Sequence, residues 1–103
     1  RGLGDVYKRQ VVTLVDRACD LMGADHDAQR SCDHPKHLNA LKRDDGSYLE
    51  VSLDDEASRR WVTDREARGG QFRVEGLLYE RIHTLKLEHV QPIGPPSARL
   101  AFR

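Results

Sequence analysis

The residue types best suited to chemistry gather in one stretch of this chain. Cys19, His26, Cys32, His34 and His37 fall within 19 residues, with Asp20, Asp25, Asp27 and Asp33 interleaved. Thiolate sulfur together with imidazole nitrogen is the ligand set of zinc or copper. The spacing is irregular: there is no Cys-x-x-Cys, and the pair His34 and His37 has no matching cysteine knuckle. Pro35 keeps a regular helix from presenting those two rings together. Cys19 and Cys32 are the only cysteines, and they allow a second chemistry. A pair bracketing a loose loop forms a disulfide in an oxidising compartment, and closing a loop of about 14 residues stabilises a small domain by roughly 3 kcal/mol. Two free structural thiols are the third reading. The irregular spacing favours neighbouring cysteines with the histidines scattered.

Other constellations have simpler explanations. A cysteine beside several histidines invites nucleophilic catalysis, but nothing in the local sequence fixes the geometry that a Cys–His pair needs. Asp44-Asp45 and Asp54-Asp55-Glu56 resemble paired carboxylates, yet a turn and a helix start account for both. Arg59, Arg60, Arg65 and Arg68 read as the solvated face of a helix. No catalytic residue is assigned.

The elements that must carry these groups are short. Val11-Val12-Thr13-Leu14-Val15 has the β-branched composition of a buried strand and ends at Asp16. Residues 17–36 form a long polar connection, with one helical turn offered by Ala18, Leu21 and Met22 and a short helix around Ala28 to Cys32. Connections of this length in a small domain are functional or cross-linked. Leu38 to Arg43 and Tyr48 to Leu53 flank Asp44-Asp45-Gly46-Ser47, a hairpin signal in which glycine takes the positive φ of the turn. Leu49, Val51 and Leu53 alternate with polar neighbours and face inward. Asp54 caps a helix over about 54–68, whose apolar stripe is Ala57, Trp61 and Val62 and which ends at Gly69-Gly70. Gln71 to Glu80 and Thr84 to Val90 form a second hairpin, with Phe72, Val74, Leu85 and Leu87 inward and a bulge at Gly76. Pro92, Pro95 and Pro96 stop the sheet.

This order predicts an all-β fold with one helix: a five-stranded Greek-key barrel of the OB type, β-β-β-α-β-β, with Trp61 plugging its bottom. Such barrels bind ligands on the face of strands two and three, which here offers Lys42, Tyr48, Glu50 and Ser52. Single-stranded nucleic-acid binders combine stacking aromatics with a basic groove on that face. With one outward aromatic and 17 basic against 17 acidic residues, this chain lacks the electrostatic footprint of phosphate binding. No run approaches the roughly 20 apolar residues of a membrane-spanning helix.

At 103 residues the chain is one domain. Asp5-Val6-Tyr7-Lys8-Arg9-Gln10 back-translates to the transposon end used as an adapter in sequencing libraries, so residues 1–10 are expected to be a translated adapter. The natural start then lies upstream of Val11, and any signal peptide is lost with it. Setting aside Arg1, Asp5, Lys8 and Arg9 leaves 14 basic against 16 acidic residues. The expected organisation is an adapter over 1–10, a barrel domain over 11–91 and a proline-containing tail over 92–103.

From Val11 to Val90 the pattern resembles a loose group of small bacterial secreted or periplasmic OB-like domains of unknown function. The resemblance is carried by Asp16-Arg17-Ala18-Cys19, the His26 to Cys32 loop, Asp45-Gly46, and Val74-Glu75-Gly76-Leu77-Leu78-Tyr79-Glu80. Where such domains often carry an aromatic residue and a second loop cysteine, this chain has Asp20 and Gln29. The resemblance implies a fold and an extracytoplasmic address rather than an activity. The resulting expectation is a non-catalytic extracytoplasmic binding or accessory module requiring no cofactor. Zinc or copper binding through the 19–37 loop and single-stranded nucleic-acid binding are the alternatives. Partner and oligomeric state carry no sequence signal.

Overall fold

A computed structural model describes residues 5–94. Strand β1 (Asp5–Asp16) is longer than its apolar run. Its first part pairs antiparallel with β4 (Gln71–Tyr79), from Asp5 opposite Tyr79 to Thr13 opposite Gln71. Its last four residues pair instead with β2 (Asn39–Lys42), from Thr13 opposite Lys42 to Asp16 opposite Asn39. One strand thereby serves two neighbours at its two ends, which is how a short sheet curls closed. Closure is completed by a parallel pair between β3 (Tyr48–Val51) and β5 (Thr84–Gly94). The barrel order is β1-β2-β3-β5-β4, the expected small, five-stranded OB-like barrel.

The core follows the alternation in the sequence. Val12 and Leu14 of β1, Leu41 of β2, Leu49 and Val51 of β3, Phe72, Val74 and Leu78 of β4 and Leu85 of β5 form one buried cluster. Helix α3 (Glu56–Trp61) lies between β3 and β4. Trp61, 8% exposed, packs edge-on against Phe72 with ring centroids 5.2 Å apart. Gly76 sits at a register shift between β4 and β5, where a Cβ would lie 2.0 Å from the carbonyl oxygen of Lys86. The bulge therefore requires glycine. Gly46 holds φ +86° in the β2–β3 turn, closed by Arg43 N–H donating to Ser47 O at 2.8 Å.

Several boundaries differ from expectation. Among the described residues there are three short α-helices: the turn and the short helix expected in the connection after β1 are α1 (Arg17–Leu21) and α2 (His26–Ser31), so the barrel carries more than the one helix of the expected fold class. Helix α3 is six residues long and is capped by Asp55, whose carboxylate accepts from Ser58 N–H, rather than by Asp54. The chain beyond it turns back toward Gly69 instead of continuing as helix. β3 ends at Val51, so Leu53 is exposed rather than inward. Pro92 does not stop the sheet: β5 runs to Gly94, and Pro92 sits opposite Phe72 beside a register shift that accommodates its missing N–H. β1 begins at Asp5 rather than Val11, although the side chains of residues 6–9 are exposed. Pro95 and Pro96 lie outside the described residues. Among the described residues no helix is long and apolar enough to cross a membrane.

Candidate metal centre

The connection between β1 and β2 is ordered by three side chains that satisfy backbone groups. Asp16 ends β1 and caps α1, its Oδ1 accepting from Cys19 N–H at 3.0 Å. That cap places the Cys19 thiol one turn above the Asp16 carboxylate. Asp25 caps α2 in the same way, accepting from Ala28 N–H at 2.8 Å. Gln29, fully buried on α2, accepts from Asp16 N–H at 3.0 Å and donates to Asp20 Oδ1 and to Ala24 O. Its amide staples the second helix to the end of the first strand. Cys32 then caps α2 at its C-terminus, and a turn closed by His37 N–H donating to His34 O brings the His37 ring back over the strand end.

The result is a convergence of four donor atoms. His37 Nδ1 lies 3.2 Å from Asp16 Oδ2, 3.4 Å from Cys32 Sγ and 3.6 Å from Cys19 Sγ. Asp16, Cys19, Cys32 and His37 each offer a ligand atom, all within 4.8 Å of one another, so the group could hold a metal ion. Asp16 is 0% and Cys19 7% exposed, whereas Cys32 and His37 are half-buried. Both cysteines are free thiols. A cavity of about 320 Å³ whose lining includes Cys32, His34, His37, Thr63, Arg65 and Arg68 borders the cluster.

Electrostatics divide the two buried groups. Burial alone would raise the pKa of Asp16, but the Cys19 N–H and the Arg68 guanidinium outweigh it and hold the carboxyl below its ordinary value. Cys19 moves the other way: burial, the neighbouring Cys32 thiol and the Asp16 carboxylate push it up to about 11. Asp16 Oδ2 lies 3.4 Å from Arg68 Nη1 as well as near His37, yet it is fully buried and accepts no hydrogen bond. Buried acceptors are rarely left so, because a lost partner costs about 1–3 kcal/mol.

Neither a family model, nor a curated protein, nor a solved structure matches this chain. The geometry therefore carries the functional reading by itself.

Of the five expected metal-site residues, the structure brings together Cys19, Cys32 and His37. His34 stands outside the cluster, stacked on the His37 ring at 4.4 Å with its Nδ1 accepting from Lys36 N–H. His26 is exposed in the first turn of α2, against Gly69, where the absence of a Cβ leaves room for it. The histidines are thus neither all gathered nor all scattered.

Two members were missed. Asp16 read only as the end of a strand, although the Asp-x-x-Cys spacing is that of a capping residue and the N–H it caps. Arg68 read as a solvated helix residue, and this is a correction: it is 2% exposed. It donates to Asn39 Oδ1 at 2.7 Å, Gln29 O at 2.6 Å, Cys32 O at 3.0 Å and His37 O at 3.3 Å. No local pattern marks it, because the helix that would have exposed it stops at Trp61.

On the expected ligand face the half-buried side chains bond to α1. Tyr48 donates to Asp20 Oδ2 at 2.6 Å, and Lys42 Nζ pairs with the same oxygen at 2.8 Å. Arg17 pairs with Glu50 at 2.7 Å, and the Arg17 guanidinium and the Lys42 ammonium each lie over the Tyr48 ring, 5.7 and 5.9 Å from its centroid. These contacts dock α1 on the β2–β3 face. Ser52 falls past the end of β3, its N–H donating to Leu85 O.

Proposed function

We propose that the β1–β2 connection is a structural transition-metal site, with zinc its ion, in a non-catalytic OB-like accessory module. The observation that carries this reading is the crowding around His37 Nδ1. One imidazole nitrogen makes one hydrogen bond, yet three heteroatoms surround this one at 3.2, 3.4 and 3.6 Å. Tetrahedral zinc at about 2.0 Å from oxygen and nitrogen and about 2.3 Å from sulfur sets nitrogen–oxygen edges of about 3.3 Å and nitrogen–sulfur edges of about 3.5 Å. Asp16 Oδ2, which accepts no hydrogen bond although Arg68 lies 3.4 Å away, points to the same reading, because a bound ion gives it a close partner and a disulfide does not.

Four protein ligands close a tetrahedral site, leaving no position for a reacting water, which favours a structural role over a catalytic one. The carboxylate favours zinc over Cu(I), which selects softer donors. The nucleic-acid alternative is weakened by Tyr48, whose ring already has Arg17 and Lys42 over it and whose hydroxyl is bonded to Asp20. The extracytoplasmic address rests on the resemblance of the sequence alone and is tested by fractionation of the full-length protein.

The direct experiment is metal analysis of protein purified under reducing conditions, followed by zinc titration against a chromophoric chelator. One zinc per chain, lost in Cys19→Ser and His37→Ala but retained in His26→Ala and His34→Ala, is the expected result. Reduced protein that takes up no zinc would refute the proposal, and a Cys19–Cys32 disulfide in protein isolated without reductant would restore the cross-link reading.

A further inference from the structure

The charge around this cluster restricts the ion it can hold, an inference that rests on the metal reading above. With Cys19 and Cys32 as thiolates and Asp16 as carboxylate, the donor set carries three negative charges. Arg68 supplies one positive charge within the same buried volume, its Nη1 3.4 Å from Asp16 Oδ2. Nearby ionised groups are matched elsewhere: Asp20 pairs with Lys42, Arg17 with Glu50, and Arg30 with Asp27. Arg65 lines the adjoining cavity but is exposed. A divalent ion therefore brings the buried site to neutrality, whereas a monovalent ion leaves it one negative charge in excess. An uncompensated buried charge is costly.

We infer that Arg68 is the residue that brings this site to neutrality when a divalent transition-metal ion is bound. Arg68 does not touch the ion, and it acts in two ways. Its donors hold the carbonyls of Cys32 and His37, fixing the backbone of both loop ligands. Its charge balances the donor set, and lysine could supply that charge without the fork that reaches four acceptors. Two more of its donors bond Asn39 and Gln29, which ties the site to β2 and α2. An arginine placed only to anchor loops would weaken every ion equally when removed. One that also balances charge weakens the monovalent ion more, because its removal leaves the larger excess of negative charge around that ion.

The test is a pair of competition titrations, zinc and Cu(I), on wild type, Arg68→Met, Asp16→Asn and the double variant Asp16→Asn/Arg68→Met. Asparagine preserves the cap on α1 while removing the charge. Arg68→Met is expected to lower zinc affinity by about 10- to 100-fold, the range for outer partners of a metal site, and to lower Cu(I) affinity further, because the excess buried negative charge is then larger with the monovalent ion. The double variant restores neutrality with a divalent ion, so it should bind zinc more tightly than Asp16→Asn alone. That comparison stands even where Arg68→Met by itself fails to fold, because the double variant removes both halves of the buried ion pair. Equal losses for zinc and Cu(I) in Arg68→Met, or a double variant weaker toward zinc than Asp16→Asn, would overturn the inference. Wild-type protein that binds neither ion would instead refute the metal site itself.

Discussion

Asp16 Oδ2 lies 3.2 Å from His37 Nδ1 across a sequence separation of 21 residues. This contact defines the site: it joins the end of the first strand to the far end of the loop. It leaves a buried carboxylate oxygen without a hydrogen bond, and it places an imidazole where both thiols also reach.

The first prediction follows from the two roles of Asp16. Asp16→Ala removes the α1 cap, typically about 1 kcal/mol, and leaves Arg68 buried beside no carboxylate, a loss on the order of 3 kcal/mol. The metal-free variant should therefore be destabilised by about 3–4 kcal/mol in urea unfolding. Asp16→Asn, which keeps the cap, should lose less.

A second prediction concerns pH and changes sign with metal. Cys19 moves from an ordinary thiol value of 9.0 to about 11 in the folded protein. Between these values the unfolded chain has released its proton and the folded one has not, so the metal-free protein should lose stability as pH rises from about 9 to about 11. With zinc bound the thiols are ionised, and stability should instead be lost as pH falls and protons compete for the ligands. Melting temperature against pH, with and without chelator, distinguishes the two slopes.

The barrel plug gives a third. Trp61→Ala opens a cavity beneath Phe72 and should cost about 3–5 kcal/mol. Trp61→Phe should cost no more than about 2 kcal/mol, since the buried indole N–H has no hydrogen-bond partner to lose. Equal losses for the two would contradict the packing described.

Gly76 gives the fourth. Gly76→Ala drives a methyl into the Lys86 carbonyl and should destabilise by about 2–3 kcal/mol, the upper part of the overpacking range. Gly46→Ala has open space but a positive φ, so it should cost nearer 1 kcal/mol, the penalty for a left-handed residue with a Cβ.

The barrel was legible because strand alternation and turn chemistry are local. Leu49 and Val51, Phe72 and Val74, and Asp45-Gly46 announce their faces and their turn within a few residues. Helix ends were less so, since Asp54 and Asp55 cap equally well on paper and only tertiary packing ends α3 at Trp61. In the loop, donor density identified Cys19, Cys32 and His37 but could not separate them from His26 and His34. That separation depends on where α2 docks, and docking is set by Gln29 reaching the Asp16 backbone. Arg68 was invisible for the same reason: beside Arg65 it looks solvated, and its acceptors come from residues 29 to 39, across the fold.

The central claim, that these four residues bind one metal ion, is tested most directly by titrating the reduced, chelator-treated protein with Co²⁺ as a spectroscopic stand-in for zinc. Saturation at one equivalent is predicted, with the intense visible bands of tetrahedral cobalt, a thiolate-to-cobalt charge-transfer band in the near ultraviolet, and bleaching by added zinc. A spectrum showing only weak octahedral bands, or no thiolate band while both thiols remain free, would contradict it.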